Sequence, residues 1–484
     1  NDNYQINNII KNLEFKKIDI TILYSNNNYL LKKSFFYKIL FKIIFTIEKK
    51  FINFSTLILS KKNIYIKKKN VTFDKYINDQ LINDKRYITD VIIDLGNHKI
   101  NKNFIAKAKY GIWYLDNHVK DNFLIGFFDC LSNQKISTSY LISKKFFNNK
   151  LIIKCIDVSH LNTKINFWLR NKQFIIEKSA NLISKNLNKI YYDLTIKEVN
   201  RNNFKTFSKI NLSNFINYFF IKYFIYAIKK LFRKINEQNQ DVWRIYLLNS
   251  SVGNFLSNEK IQKNSHMINP NFKHEYADPF IYEYNNLEYV FFENNDLNQN
   301  KGKISCGIIK DNKLSSIKDV LNLKYHLSYP FIWKLKKNFF LMPESSANKS
   351  LQIWKSVSFP FKWRLYKTIF KNEFCCDTSI ISKSNNNWLL TNKSNDHTND
   401  ASNELYIYKI VGNFKKLIPH KLNPVITDCR TARNAGNLKF SNQLLRPSQI
   451  NNSSGYGIGL NINKIIALNL ETYKETTIKK IYPN

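Results

Sequence analysis

Four stretches in the C-terminal half share one alternation of apolar and polar positions over fifteen columns. They read PFIYEYNNLEYVFFE (residues 279–293), PFIWKLKKNFFLMPE (330–344), TSIISKSNNNWLLTN (378–392) and AGNLKFSNQLLRPSQ (435–449). Each is an apolar run, a polar turn rich in Asn, Lys or Ser, and a second apolar run. Two β-prone runs around such a turn predict an antiparallel hairpin. Successive copies start 51, 48 and 57 residues apart. Repeats of roughly 40–50 residues with a few strands each predict a β-propeller.

The repeat also predicts where chemistry gathers. In a regular hairpin the residue before the first run faces the residue that ends the second. That pairs Asp278 with Glu293, Tyr329 with Glu344, Asp377 with Asn392 and Asn434 with Gln449. A propeller draws the equivalent ends of its inner strands to one channel, so Asp278, Glu293, Glu344 and Asp377 are expected to converge from three blades. Clustered carboxylates suit glycosidic acid–base chemistry or the holding of sugar hydroxyls. The same acids serve equally well as strand caps or as partners of Lys and Arg on a solvated rim. Arg430, Arg433 and Arg446 fall within 17 residues in a chain where Arg is scarce. Arginine binds phosphate or carboxylate bidentately, so acids facing arginines would suit a sugar phosphate, a nucleotide sugar or an acidic glycan. Internal pairing, for example with Asp428, is the competing expectation.

Ahead of the repeats, apolar runs at 18–24, 56–59 and 90–95 alternate with helical patterns and predict an α/β unit with a parallel sheet. No GxGxxG or phosphate-binding loop accompanies it. Segments 34–54 and 214–235 are aromatic and aliphatic with lysines throughout, too interrupted to span a bilayer. A basic amphipathic helix on an anionic membrane surface and a helix packed on a neighbouring element are the two expectations for each.

Composition changes this picture little. Hydrophobic content of 44% and aromatic content of 15% suffice for buried cores in two or three domains. The net charge of +39 is carried mostly by Lys spread along the whole chain. With no nucleic-acid motif present, sequence-specific DNA or RNA binding is not expected, and weak attraction to anionic lipid or acidic glycan is. The six cysteines, at 130, 155, 306, 375, 376 and 429, show no CxxC and no Cys/His ligand spacing. They are expected as reduced core residues, with no metal site. The expected location is the cytoplasm, with peripheral association at the inner face of the membrane through the basic segments. The chain opens on Asn1 without a methionine, so its true N-terminus is left open.

The segments YADPFIYEYNNLEYVFFE, YHLSYPFIWKLKKNFFLMPESSANKSLQIWK, CDTSIISKSNNNWLLTN and DCRTARNAGNLKF…LLRPSQ…YGIGLNIN resemble one domain type. It is the N-terminal propeller domain of plant glucosamine inositolphosphorylceramide transferases and its bacterial relatives. HLSYPF…MPESSAN is the most specific part, and the resemblance covers about residues 241–484. It implies a carbohydrate-active protein of surface-glycan or glycolipid biosynthesis, although the plant proteins' separate glycosyltransferase domain is missing here. In bacterial relatives a formyltransferase-like domain often precedes this one. DVIIDLG, AKYGIWYLDNH and IGFFDCLSNQKIST resemble a worn version of it. That family's Asn-x-His pair and downstream Asp have no match: Asp116 and His118 are the nearest polar residues, and Asn148 or Asn149 stands where the acid belongs. An Asn takes up no proton at neutral pH, so a reduced folate cofactor is not expected.

The repeats also resemble, more distantly, the five-bladed arabinanases and xylosidases, which use an Asp base, an orienting Asp and a Glu acid. The resemblance implies catalytic roles for Asp278, Asp377 and Glu344; Glu293, Tyr329, Arg430, Arg433 and Arg446 are expected as substrate contacts. The expected organisation is a degenerate formyltransferase-like α/β domain (1–200), a basic amphipathic connector (201–240) and an all-β five-bladed, glycosidase-like propeller (241–484). The fifth blade is expected from VWRIYLL and the C-terminal TTIKKIY. A sugar or nucleotide sugar bound or processed in the channel is the first functional expectation. A non-catalytic glycan-binding scaffold and a glycoside hydrolase are the alternatives. Acids locked in ion pairs with the three arginines would favour binding or structure.

Overall fold

The computed structural model describes residues 89–95, 108–119, 122–148, 150–200, 243–257, 265–394, 400–436, 438–441 and 443–482. It also describes 9, 19–23, 43–44, 46, 48, 70–74, 105–106, 213, 218, 223–224 and 228. The chain divides into two compact units: Asn1–Lys234 with Asn452–Ser454, and Ile235–Asn451 with Gly455–Asn484.

In the first unit, β1 (Asp19–Leu23) and β2 (Asn70–Asp74) form a parallel pair. A second sheet holds β3 (Ile92–Asp94), β4 (Ile112–Asp116), β5 (Ile136–Phe147) and β6 (Lys150–Asn162) in that order. Only β3 and β4 are parallel within it. The other pairings are antiparallel, which corrects the expectation of a parallel sheet. The expected run at 56–59 lies outside the described residues. Asn148, at φ 49°, is in the tight turn between β5 and β6, so the position matched to a catalytic acid is a hairpin turn. Its helices include α1 (Phe127–Leu131) and the long α2 (Trp168–Tyr191). Ala180, Leu182 and Ile183 of α2 pack with Trp113, Leu115, Leu141 and Ile156 of the sheet.

The described side chains of the two basic amphipathic segments belong largely to this unit's core. Ile44 and Tyr218 lie buried with Phe127, Trp168 and Phe174, and Tyr223 packs against them. Glu48, fully buried, accepts the backbone N–H of Trp168 (3.0 Å) and Leu169 (2.6 Å) and the hydroxyls of Tyr218 (2.8 Å) and Tyr223 (2.6 Å). A carboxylate there satisfies the orphan donors of the first turn of α2 and opposes its dipole. Burial raises the Glu48 pKa against those hydrogen bonds. Ile44, Glu48, Tyr218 and Tyr223 are thus packed on neighbouring elements, while Ile43 and Phe224 are exposed. The expected connector at 201–240 likewise gives its described Tyr218 and Tyr223 to the first unit. Among the described residues no helix is long and apolar enough to cross a membrane.

The second unit opens with β7 (Ile245–Leu248), α3 (Val252–Ser257) and β8 (Ser265–Ile268). Four sheets follow, each an antiparallel meander. The first comprises β9 (His274–Tyr284), β10 (Leu287–Asp296), β11 (Lys301–Lys310) and β12 (Lys313–Leu321). The second comprises β13 (Ser328–Leu335), β14 (Asn338–Glu344), β15 (Leu351–Ser358) and β16 (Lys362–Ile369). In the third, β17 (Phe374–Lys383), β18 (Asn386–Ser394), β19 (Glu404–Val411) and β20 (Lys416–Pro419) run in order, with β21 (Ile426–Thr427) added on β19. The fourth holds β22 (Leu438–Phe440), β23 (Gln443–Asn452), β24 (Gly455–Leu468) and β25 (Tyr473–Ile481). Asn285–Asn286, Asp311–Asn312 and Ser384–Asn385 turn their hairpins with both residues at positive φ, the two-residue turn that matches strand twist.

The sheets stack on one another through their apolar faces. Phe291, Ile304 and Leu327 meet Ile332 and Leu341 between the first and second sheets. Phe331, Phe340 and Met342 meet Leu389 and Phe414 between the second and third. Trp388, Leu390 and Ile407 meet Ile465 and Leu468 between the third and fourth. On the other side of the first sheet, Ile245, Leu247 and Ile268 of the β7–β8 pair pack on Tyr276, Val290 and Phe292. The same region reaches the fourth sheet, because Lys479 Nζ donates to Phe255 O (2.5 Å) and Gly253 lies against the Phe440 ring. Packing thus runs from sheet to sheet and back to its start, as in a propeller-like fold. The expected pairing of VWRIYLL with the C-terminal run does not occur: β7 pairs with β8, and β25 is the outer strand of the fourth sheet.

Candidate functional site

The innermost strands of the first three sheets carry the same irregularity. Glu293 pairs with Ala277, Glu344 with Ser328 and Asn392 with Cys376, one residue earlier than a regular hairpin gives. The register shifts at the intervening residues, Asp278–Pro279, Tyr329–Pro330 and Asp377–Thr378. Each is a β-bulge. The first residue of each bulge is left-handed, with φ of 48° at Asp278, 44° at Tyr329 and 45° at Asp377. None is glycine, and the left-handed region costs an L-residue about 1–2 kcal/mol. Strain placed at one column of three repeats marks a site.

The bulges bring their side chains together. Tyr329 N–H donates to Asp278 Oδ2 (3.2 Å), and Asp377 N–H donates to Glu344 Oε2 (3.2 Å). Ser346 Oγ donates to Glu344 Oε1 (2.6 Å). In the fourth sheet Asn434 pairs with Ser448 and donates its amide to Asp377 O (2.9 Å). Gly436 N–H donates to the Tyr329 hydroxyl (2.5 Å). Arg433 Nε donates to Asp377 Oδ2 (2.5 Å), and Gln449 Nε2 reaches the same oxygen (3.4 Å). Asp278, Tyr329, Asp377 and Asn434 therefore form one polar cluster, buried at Tyr329, Asp377 and Asn434 and half-buried at Asp278, with Glu344 and Arg433 bonded to it.

Electrostatics differ among the acids. Burial pushes the Asp278 carboxyl well above the ordinary range, and the charges of Asp377, Glu293 and Glu344 push the same way. Burial also raises Asp377, while Arg433 opposes the shift. Burial disfavours the Arg433 charge, yet Asp377 keeps the guanidinium protonated. The Tyr329 hydroxyl is kept protonated by burial and then by Asp377 and Asp278.

Glu293 forms a pair that the sequence did not announce. His326 Nδ1 accepts the Gly302 N–H (2.9 Å), which leaves Nε2 facing Glu293 Oε1 at 3.1 Å. The hydrogen bond to Glu293 raises the imidazole pKa above its usual value, against burial. A Cβ on Gly302 would stand 2.6 Å from Leu327 O and 2.9 Å from Glu293 Oε1, so only glycine fits there. His326, Tyr329, Glu344 and Ser346 all come from HLSYPF…MPESSAN, which signalled His326 by motif though not by period.

The arginines separate. Of the three, Arg433 alone joins the carboxylates. Arg430 is an exposed partner of Asp428 (2.6 Å). Arg446 is fully buried within the fourth sheet, paired with Glu475 (2.6 Å) and bonded to Asn434 Oδ1 (3.1 Å). It supports Asn434 and is not placed to touch a ligand, which corrects its expected role.

In the first unit Asp116 Oδ1 accepts the His118 N–H (2.9 Å), closing a turn after β4. A cavity of about 20 Å³ lies nearby at the ends of β3 and β4, among Asp94, Asn117, Asn122 and Ser179. That is room for a single water.

Among the solved structures that share part of the chain path are two glycoside hydrolases. One is Zg3597, a family 117 glycoside hydrolase of Zobellia galactanivorans, at 10% identity over 50% of this chain and 77% of that one, TM-score 0.35. The other is a thermostable family-43 glycoside hydrolase at 10% identity, covering 43% and 77%, TM-score 0.33. Among sequences, the glucosamine inositolphosphorylceramide transferase 1 of Oryza sativa subsp. japonica is 29% identical over 207 residues, 42% of this chain and 28% of that protein. The Arabidopsis thaliana protein of the same name is 30% identical over 213 residues, 42% of this chain and 27% of its own length. The chain thus spans little more than a quarter of the plant proteins. The family model described as "Glucosamine inositolphosphorylceramide transferase 1, N-terminal" matches residues 223–482, more than half of the sequence and all four sheets with their polar cluster. The chain belongs to the glucosamine inositolphosphorylceramide transferase 1 N-terminal family.

Proposed function

We propose that the second unit holds a sugar moiety of a glycan, glycolipid or nucleotide sugar at the Asp278–Tyr329–Asp377–Asn434 cluster, in the service of surface-glycan or glycolipid assembly. The observation that carries this reading is the left-handed residue repeated at one column of three inner strands. Backbone strain is placed where it brings polar side chains to one buried location. We read the β7–β8 pair as a reduced fifth blade, so that the cluster faces the axis of a five-bladed ring. Asp278, Tyr329, Asn434 and Glu344 make a set of groups suited to hydroxyls. The plant relatives carry glucosamine in their name, which supports a sugar as the ligand class.

Binding is favoured over hydrolysis because Asp377 is paired with Arg433 and burial opposes the charge on Asp278, leaving neither as a ready general base. Glycoside hydrolysis is the second reading, and one observation favours it: burial favours the protonated form of Asp278, the form a general acid needs. The test is a thermal-shift panel on the whole chain with nucleotide sugars, neutral and acidic oligosaccharides, inositol phosphates and a reduced folate. Product analysis of each mixture accompanies it. Stabilisation by a sugar-bearing compound, lost in Glu344→Gln and without turnover, is the expected result. Undiminished stabilisation in Glu344→Gln and Asp278→Ala would move the ligand elsewhere. Sugar release would establish the hydrolase reading instead.

A further inference from the structure

Beside the polar cluster stand two half-exposed aromatic side chains, neither of them in the fifteen repeated columns. Trp243 is 51% exposed and Tyr456 47% exposed. Their rings meet edge to face at 6.3 Å. Both are fixed in place. Trp243 O accepts the N–H of Tyr276 on the innermost strand of the first sheet (3.1 Å). Tyr456 lies at the start of β24 of the fourth sheet, and the Arg433 guanidinium lies 4.5 Å from its ring centre. Gly457, at φ 63°, turns the chain against the Trp243 ring, where its own N–H donates to Asn451 Oδ1 (2.7 Å). Arg433 is also the residue that grips Asp377, so the aromatic pair and the carboxylates share one guanidinium as a wall.

Two large rings held together and left half in water, next to ordered hydrogen-bonding groups, mark a ligand surface more than scattered exposed residues do. Their neighbours decide what covers them. A purely apolar ligand would strand the polar groups around Asp377 without partners, and a purely charged one would gain nothing from the rings. A ligand with one apolar face and a polar rim satisfies both halves, and a pyranose ring is such a ligand. Its axial C–H bonds lie flat on an aromatic surface while its hydroxyls point outward. We propose that Trp243 and Tyr456 form a stacking subsite for a pyranose ring whose hydroxyls reach the cluster of Asp278, Asp377 and Arg433. The inference rests on the reading of that cluster as a sugar site and adds the platform that sets ring orientation.

The experiment uses the whole chain and follows tryptophan fluorescence during titration with glucosamine, N-acetylglucosamine, galactose and glucuronate. Wild type is compared with Trp243→Ala, Trp243→Phe, Tyr456→Ala and Glu344→Gln, with circular dichroism to verify folding. The expected result is that a sugar bound by wild type loses at least about tenfold in affinity in Trp243→Ala and Tyr456→Ala. Trp243→Phe, which keeps an aromatic face, retains most of it. Unchanged affinity in folded Trp243→Ala and Tyr456→Ala, with loss in Glu344→Gln, overturns the subsite and leaves the cluster as the sugar site. Absence of millimolar binding to wild type by all four sugars overturns the sugar reading and the subsite with it. Should Trp243→Ala fail to fold, Trp243→Phe and Tyr456→Ala decide the matter: unchanged affinity in Tyr456→Ala overturns the proposal.

Discussion

Asp278 shows how one residue couples the site to stability. Its carboxyl titrates well above the ordinary carboxylate range in the folded chain because it is buried and faces Asp377, Glu293 and Glu344. An unfolded Asp titrates near ~3.9. Between those two values the folded state binds the extra proton, so stability is full below the unfolded value and falls as pH rises toward the folded one. Asp278→Asn removes the titration while keeping an oxygen for the Tyr329 N–H. Melting curves across mildly acidic to alkaline pH should therefore decline less steeply in Asp278→Asn than in wild type. Identical slopes would show that Asp278 is ionised in the fold. Residue types and spacing made Asp278, Glu344 and Asp377 legible in the sequence. Their conformation was not legible, because a left-handed Asp or Tyr carries no signal in an apolar–polar period. Trp243 and Tyr456 escaped for another reason: they lie outside the repeated columns and meet only when the fourth sheet comes back beside the first.

At the scale of elements, the alternation predicted the hairpins and missed their register by one residue. Proline at 279 and 330 was the available clue, since it cannot donate to a ladder and is tolerated at bulges. In the first unit, Asn148 fits a lost catalytic column and a tight turn equally well in sequence; its φ of 49° between β5 and β6 decides for the turn. Gly302 offers a test of how tightly the first two sheets approach. Gly302→Ala would drive a methyl into Leu327 O and Glu293 Oε1, and overpacking of this kind costs about 1–3 kcal/mol. The expected outcome is a lower melting temperature together with loss of the raised His326 pKa, read by NMR titration. A variant as stable as wild type would mean the two sheets give way easily.

At the scale of the molecule, the four large sheets and the β7–β8 pair pack in a circuit, so a lesion at the junction is predicted to spread. Ile245 is 2% exposed between that pair and the first sheet. Ile245→Ala should destabilise by about 2–5 kcal/mol. Hydrogen exchange should quicken in the fourth sheet as well as the first. Faster exchange confined to the first sheet would mean the circuit is not cooperative. The net charge of +39, the most conspicuous number in the composition, explains none of this architecture.

The repeated bulge has a consequence for how the chain can change. One column of the inner strand in each of the first three sheets delivers its side chain to the shared cluster, while the columns around it are occupied with holding the sheets together. The central chemistry is thereby separable from the scaffold: Asp, Tyr and Asp occupy equivalent addresses, and each can be rewritten alone. A protein built this way can alter that cluster by single substitutions, without renegotiating its core.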